Sequence, residues 1–218
     1  MLTWTFKALL VSFFYLNSNL MFAAQVQNMS KDDLRNLQLK MKSAAQLTVD
    51  FVQYKSVKIR PKQRTKVIGR GVFAKPSKFK WTIIEPKADS LIFDGQKLFS
   101  IQEDKKTATS FSADADRAQE IREVIDLVLD FDALLGRYDV AEATKESNKV
   151  NLLLNPKKPG ALTSLNVRVD AATAMVEMVK MTFTNKNTSE FEFSNPDRSA
   201  LPKDAFALPA GYKIVPGL

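Results

Sequence analysis

Cysteine and histidine are both missing from the 218 residues. Their absence excludes disulfides, thiolate or imidazole metal sites, and every catalytic dyad or triad built on Cys or His. It also leaves no cysteine for N-terminal lipid attachment. Catalysis would have to rest on carboxylates, Ser-Lys pairs or tyrosines, and none of these converge. Asp94 is accounted for by a turn with Gly95, and Asp114, Asp116, Glu120 and Glu123 by a solvated helix start. The chain therefore reads as a non-enzyme with no metal and no cofactor. Glycine and proline are scarce, at 7 and 9 residues, which argues against collagen, a long linker or disorder. No internal repeat stands out. Long apolar runs are missing too: the stretch from Ala8 to Leu16 falls short of the roughly 20 residues a membrane span needs.

That short run has the build of an export signal. Lys7 precedes it, a polar interruption at Asn17 to Asn19 follows, and Ala23 and Ala24 are small. Residues 1–24 are expected to be a signal peptide, although Met21 or Phe22 stands where a small residue is usual. Residues 25–218, with an ordinary share of hydrophobic (45%) and charged (26%) residues over the whole chain, are expected to form a single domain around one core. Cleavage would remove one cation from a formal net charge of +8. A basic protein that has been exported meets acidic protein surfaces or anionic headgroups, not nucleic acid.

Two helical patterns are legible. Ser30 can cap a helix over 31–45, with Asp33 in its first turn and Leu34, Leu37 and Met41 on one stripe. A second runs from Ser112 or Asp114 to about Leu129, with Ile121, Val124, Ile125, Val128 and Leu129 at i, i+3, i+4, i+7 and i+8. A further helical turn over 131–136 ends at Gly136. Elsewhere period-two alternation predicts about ten or eleven strands. The densest set lies between Gly69 and Ile101: Val72 and Ala74, then Phe79, Trp81 and Ile83, then Leu91 and Phe93, then Leu98 and Ser100 with Phe99 and Ile101 opposite. Pro76, Pro86 and a two-residue turn at Asp94-Gly95 punctuate it into an antiparallel meander. Between Lys55 and Arg70 lie seven cations and no acid, around a hairpin tip at Pro61. Lys58, Arg60, Lys62 and Arg64 there are candidates for docking on an acidic membrane partner, or form a solvated hairpin guarded by charge against edge pairing. Single-strand nucleic-acid binding needs interleaved aromatics, and only Tyr54 is near. Strands before and after helices indicate an α+β fold: one large curved antiparallel sheet with helices on one face.

The run Lys75-Pro76-Ser77-Lys78-Phe79-Lys80-Trp81, followed by Pro86 and by Asp94-Gly95 with Leu98, resembles the LolA family of periplasmic outer-membrane lipoprotein carriers. Phe51 and Gln53 are similar to its first strand, and the stretch from Phe206 to Val215 to its closing strand. The resemblance implies a half-open β-barrel with helices covering a hydrophobic concave face. Phe51, Phe79, Trp81, Ile83, Leu91 and Phe93 would line the acyl-chain cavity, and the stripe from Ile121 to Leu129 would be the lid face. It further implies acylated lipoproteins as cargo, an inner-membrane lipoprotein-releasing transporter as donor and an outer-membrane receptor as a possible acceptor; a carrier that must present one mouth to two partners in turn is expected to be a monomer. In the family the residue before the proline is typically an arginine that latches the lid. Here it is Lys75, which keeps the charge and loses the planar fork of donors. Phe99 departs from a family tryptophan. On the same fold, a periplasmic sensor or a carrier of another amphiphile, glycolipid or phospholipid, is the alternative.

Overall fold

The computed structural model describes residues 26–41, 45–60, 63–112 and 131–217. Among these, thirteen strands form one open sheet in the order β1-β8-β9-β10-β11-β12-β2-β3-β4-β5-β6-β7-β13. Two hairpin meanders account for that order. The first comprises β2 (Gln46–Ser56), β3 (Arg64–Ala74), β4 (Lys78–Glu85), β5 (Asp89–Phe93), β6 (Leu98–Gln102) and β7 (Thr107–Phe111); the second comprises β8 (Tyr138–Glu146), β9 (Lys149–Pro156), β10 (Leu162–Asp170), β11 (Val176–Phe183) and β12 (Thr188–Asp197). Antiparallel pairing of β12 with β2, Phe193 opposite Phe51, joins them. Short strands finish the edges: β1 (Gln27–Asn28) on β8, and β13 (Lys213–Pro216) on β7. The last pairing is parallel, so the sheet is mixed rather than wholly antiparallel. Together with its helices the sheet forms the expected α+β, half-open barrel.

Helix α1 (Lys31–Met41) and helix α2 (Phe131–Arg137) lie on one face, called inner here. Ser30 starts α1 as expected: its hydroxyl accepts from the Asp33 N–H at 3.1 Å and donates to the Asp33 carboxylate at 2.7 Å. The Ser30 hydroxyl and then its backbone N–H, both donating to the carboxylate, hold the Asp33 carboxyl below its ordinary range. Leu37 and Met41 of α1 and Phe131 and Leu134 of α2 enter the main core, and Gln38 donates to Asp132 between the helices. The predicted helix over 112–129, including its stripe from Ile121 to Leu129, falls outside the described residues apart from Ser112, as does Lys62.

Two details of the first meander differ from the alternation read in sequence. In β3 Phe73, opposite Phe79, and Val67 point into the inner core, whereas Val72 lies opposite Lys80 on the other face. The inward positions between them are Gly71, opposite Trp81, and Gly69, opposite Ile83. Glycine is needed there because a Cβ on Gly71 would stand 2.7 Å from the Phe73 ring, and one on Gly69 would strike the Phe51 ring and the Thr82 carbonyl. The β5–β6 connection is a four-residue loop, not two. Asp94 Oδ1 accepts from the Gln96 and Lys97 N–H groups at 2.8 Å each, and Gly95 supplies φ of +102°.

The outer face carries a second, smaller core. Ile92, Phe99, Ile101 and Ala108 are buried there against Phe206, Leu208 and Tyr212 of the C-terminal segment. Tyr212 donates to Glu103 and accepts from Lys106 Nζ at 3.1 Å, which pins that segment beside β13.

Candidate functional site

Inward alternation from β12, β2 and β4 brings four aromatic side chains together at the middle of the inner face. Phe51 and Trp81 stack with centroids 3.9 Å apart, Trp81 meets Phe191 edge-on at 5.5 Å, and Phe191 stacks with Phe193 at 6.1 Å. Such pairs add about 0.5–1.5 kcal/mol each beyond the area they bury. Phe51, Trp81 and Phe191 are almost wholly enclosed. The centre of the face is therefore filled by the protein's own rings.

Apolar depressions lie on either side of the cluster. The first, about 250 Å³, is lined by Trp81, Ile83, Asp89, Ser90, Leu91 and Ser100. The second, about 320 Å³, includes Val49, Met175, Val176 and Phe193, with Asp170, Thr173 and Glu177 at its polar side. Each is near or below the lower limit of pockets that bury a drug-sized ligand, roughly 300 Å³. A larger cavity of about 540 Å³ lies on the outer face, but Glu142, Asn151, Arg168, Lys180, Glu190 and Glu192 line it. Hydrocarbon would desolvate those charges without compensation, so that cavity does not suit an apolar ligand.

Of the residues singled out in sequence, Trp81, Ile83 and Leu91 share the first depression. Phe93 is half-buried and meets Phe79, with centroids 5.8 Å apart. Phe51 and Phe79 are sealed in the core at 1% exposure, so neither offers surface to a ligand unless its neighbours move. Phe191, Phe193 and Met175 were not picked out, although the run Glu190-Phe191-Glu192-Phe193 carries the period-two signal of one apolar and one charged face. Lys75 is exposed, and its backbone N–H donates to the Ala45 carbonyl at 2.9 Å, beside the entry to β2. Lys58 and Arg60 stand exposed on the β2–β3 tip. Arg64 instead pairs with Glu190 at 3.2 Å and covers the Tyr54 ring at 4.6 Å.

The seam between the meanders is cross-linked on both faces. Inside, buried Gln53 donates to Ser189 Oγ at 2.8 Å. Outside, Asp50 accepts from Arg70 at 2.7 Å and from Asn195 at 2.9 Å, and these bonds hold its carboxyl below the ordinary range. Among the described residues no group of three or more Asp or Glu side chains is placed to hold a metal ion. No described helix is long and apolar enough to cross a membrane.

An open sheet with helices on one face and an apolar, ring-filled centre defines a binding fold. The chain belongs to the LolA family: the family model for outer membrane lipoprotein carrier protein LolA matches residues 42–209. No curated protein matches the sequence. Among solved structures, an uncharacterized conserved protein from Thermus thermophilus superposes with a TM-score of 0.54 at 6% identity, covering 85% of this chain and 98% of the other. A LolA superfamily protein from Nitrosomonas europaea gives 0.46 at 9% identity over 80% and 97% of the two chains. The MucA/MucB complex of Pseudomonas aeruginosa gives 0.43 at 12% identity over 84% and 62%.

Proposed function

We propose that this chain is an exported, non-enzymatic carrier that holds the acyl chains of lipoproteins against its inner face and shuttles them across the periplasm from the inner to the outer membrane. Residues 1–24 direct export, and the single domain that follows carries cargo. Membership of the LolA family supports this reading. The observation that carries it is the pair of apolar depressions joined by the aromatic cluster.

Energetics require such a site to be adjustable. An acyl chain of about 16 carbons represents on the order of 12 kcal/mol of burial, and a preformed cavity of that affinity would not release it. Closed packing of Phe51, Trp81 and Phe191 competes with cargo, so the net affinity is the difference between two filled states. Ile83, Leu91 and Phe93 make first contact, and the enclosed rings shift as the chain enters.

Mass spectrometry of the protein purified from its periplasm without detergent, followed by solvent extraction, tests this reading. Acylated lipoprotein is expected. A different lipid would reassign the cargo, and an empty protein that takes up no lipoprotein from membranes would overturn the carrier reading.

A further inference from the structure

One end of the sheet gathers three loops. The β2–β3 tip meets the β11–β12 turn where the Lys58 N–H donates to Asn187 Oδ1 at 3.0 Å, and that turn meets the β9–β10 loop where the Thr184 N–H donates to the Ala161 carbonyl at 2.9 Å. In their described residues these loops carry Lys58, Arg60, Lys157, Lys158 and Lys186, all exposed, and neither Asp nor Glu. Lys157 reaches Asp139 at 3.9 Å and the Leu135 carbonyl at 2.7 Å. Elsewhere at this end, loop 86–88 carries Lys87 and loop 103–106 carries two acids and two cations, with Lys87 paired to Asp104 at 3.1 Å. A cluster of cations without acidic side chains is therefore confined to the first three loops.

Two aliphatic side chains stand among these cations. Val57 is 42% exposed and Ile59 is 85% exposed, both on the β2–β3 tip. An isoleucine held this far into water on a projecting hairpin contributes nothing to the core. A protein partner would have to supply a pocket shaped to it. A bilayer interface accepts it without shape complementarity, and flanking cations then lie at headgroup level.

We propose that this rim docks on an anionic phospholipid surface, with Ile59 and Val57 entering the headgroup layer and Lys58, Arg60, Lys158 and Lys186 meeting lipid phosphates. This inference rests on the carrier reading and deepens it. Ile83 and Asp89, which line the first apolar depression, lie toward the same end of the sheet, because Ile68 near the start of β3 pairs with Glu85 at the end of β4. Docking would thus bring that depression to the membrane from which an acyl chain is taken.

Cosedimentation of the cargo-free mature protein with vesicles tests it, independently of any lipoprotein transfer. Vesicles of phosphatidylcholine with about one third phosphatidylglycerol should bind the protein at low salt, and pure phosphatidylcholine at least about tenfold more weakly. Raising salt from roughly 0.05 to 0.3 M should weaken binding several-fold. Lys58→Glu with Lys186→Glu should reduce affinity by about 20-fold or more, and Ile59→Asp by about tenfold, with thermal melts unchanged. Equal binding to both vesicle types, or wild-type affinity in Ile59→Asp and in the double reversal, would overturn the proposal. So would selective binding to an acidic protein from the membrane with none to protein-free vesicles. Vesicle binding by a protein that carries no lipoprotein would leave the rim assignment standing and sink only the carrier reading.

Discussion

Gly69 and Gly71 show how a residue with no side chain sets the site. Each faces inward where a ring occupies the space a Cβ would need, that of Phe51 at Gly69 and that of Phe73 at Gly71. Gly69→Ala is expected to destabilise the fold by about 3 kcal/mol, because both the Phe51 ring and the Thr82 carbonyl stand in the way. Gly71→Ala should cost less, as a tilt of the Phe73 ring relieves it. Denaturant titration of the two variants checks the order. Asp170 provides a pH signature. Its Oδ1 accepts from the Ala172 and Thr173 N–H groups and the Thr173 hydroxyl, and its Oδ2 from Asn148 and Lys149. With the Thr173 N–H as the largest cause, its pKa falls from an ordinary 3.8 to about 2. A carboxyl depressed in the folded state stabilises the protein above its unfolded pKa. That contribution is lost as pH drops through the window from 3.8 toward about 2. Asp170→Asn should melt lower at neutral pH and lose less of its stability across that window. Identical acid profiles would refute the assignment.

At the scale of elements, alternation reached as far as its physics allows. It separated Leu98 and Ser100 from Phe99 and Ile101 correctly, since β6 is buried on both faces, with Leu98 in the inner core and Phe99 and Ile101 in the outer one. It misassigned β3, where Val72 and Ala74 alternate as a core face would while the true inward positions are Val67, two glycines and Phe73. Period two cannot recognise a core position that is empty by design. Ser30 was legible as a cap because the bond is local, and Ser30→Ala should cost about 1 kcal/mol in a thermal melt. The parallel pairing of β13 was not legible, because neighbourhood across 106 residues leaves no periodic trace. The outer core it accompanies is separate from the inner one. Leu208→Ala is expected to cost about 2 kcal/mol, and that loss should add to the loss from Val179→Ala within about 0.5 kcal/mol. A clear excess in the double variant would mean that the two cores are coupled.

For the whole molecule, the α+β half-open sheet was readable from the spacing of its strands, while the ring-filled centre was not, since composition counts aromatics without saying what they pack against. The six residues proposed as cavity lining divide accordingly. Phe51 and Phe79 are core, Trp81, Ile83 and Leu91 border a depression, and Phe93 lies between these conditions. Leu91→Glu is therefore expected to abolish lipoprotein uptake in a membrane-release assay while shifting the melting temperature by only a few degrees. Phe51→Ala should unfold the protein outright or cost about 3–5 kcal/mol. Uptake by Leu91→Glu at the wild-type level would remove the first depression from the site.

The pairing of β12 with β2 has a consequence for how the chain comes to exist. Its partners Phe193 and Phe51 are separated by most of the sequence, so one edge of β2 has no mate until β12 has followed. Each meander can form from neighbouring hairpins, but neither can close the inner core alone. A polypeptide threaded through a narrow pore from its first residue onward would thus remain unlocked until the pore had delivered nearly all of it. If the chain is exported as proposed, late closure would keep it slack during passage and postpone its commitment to the far side.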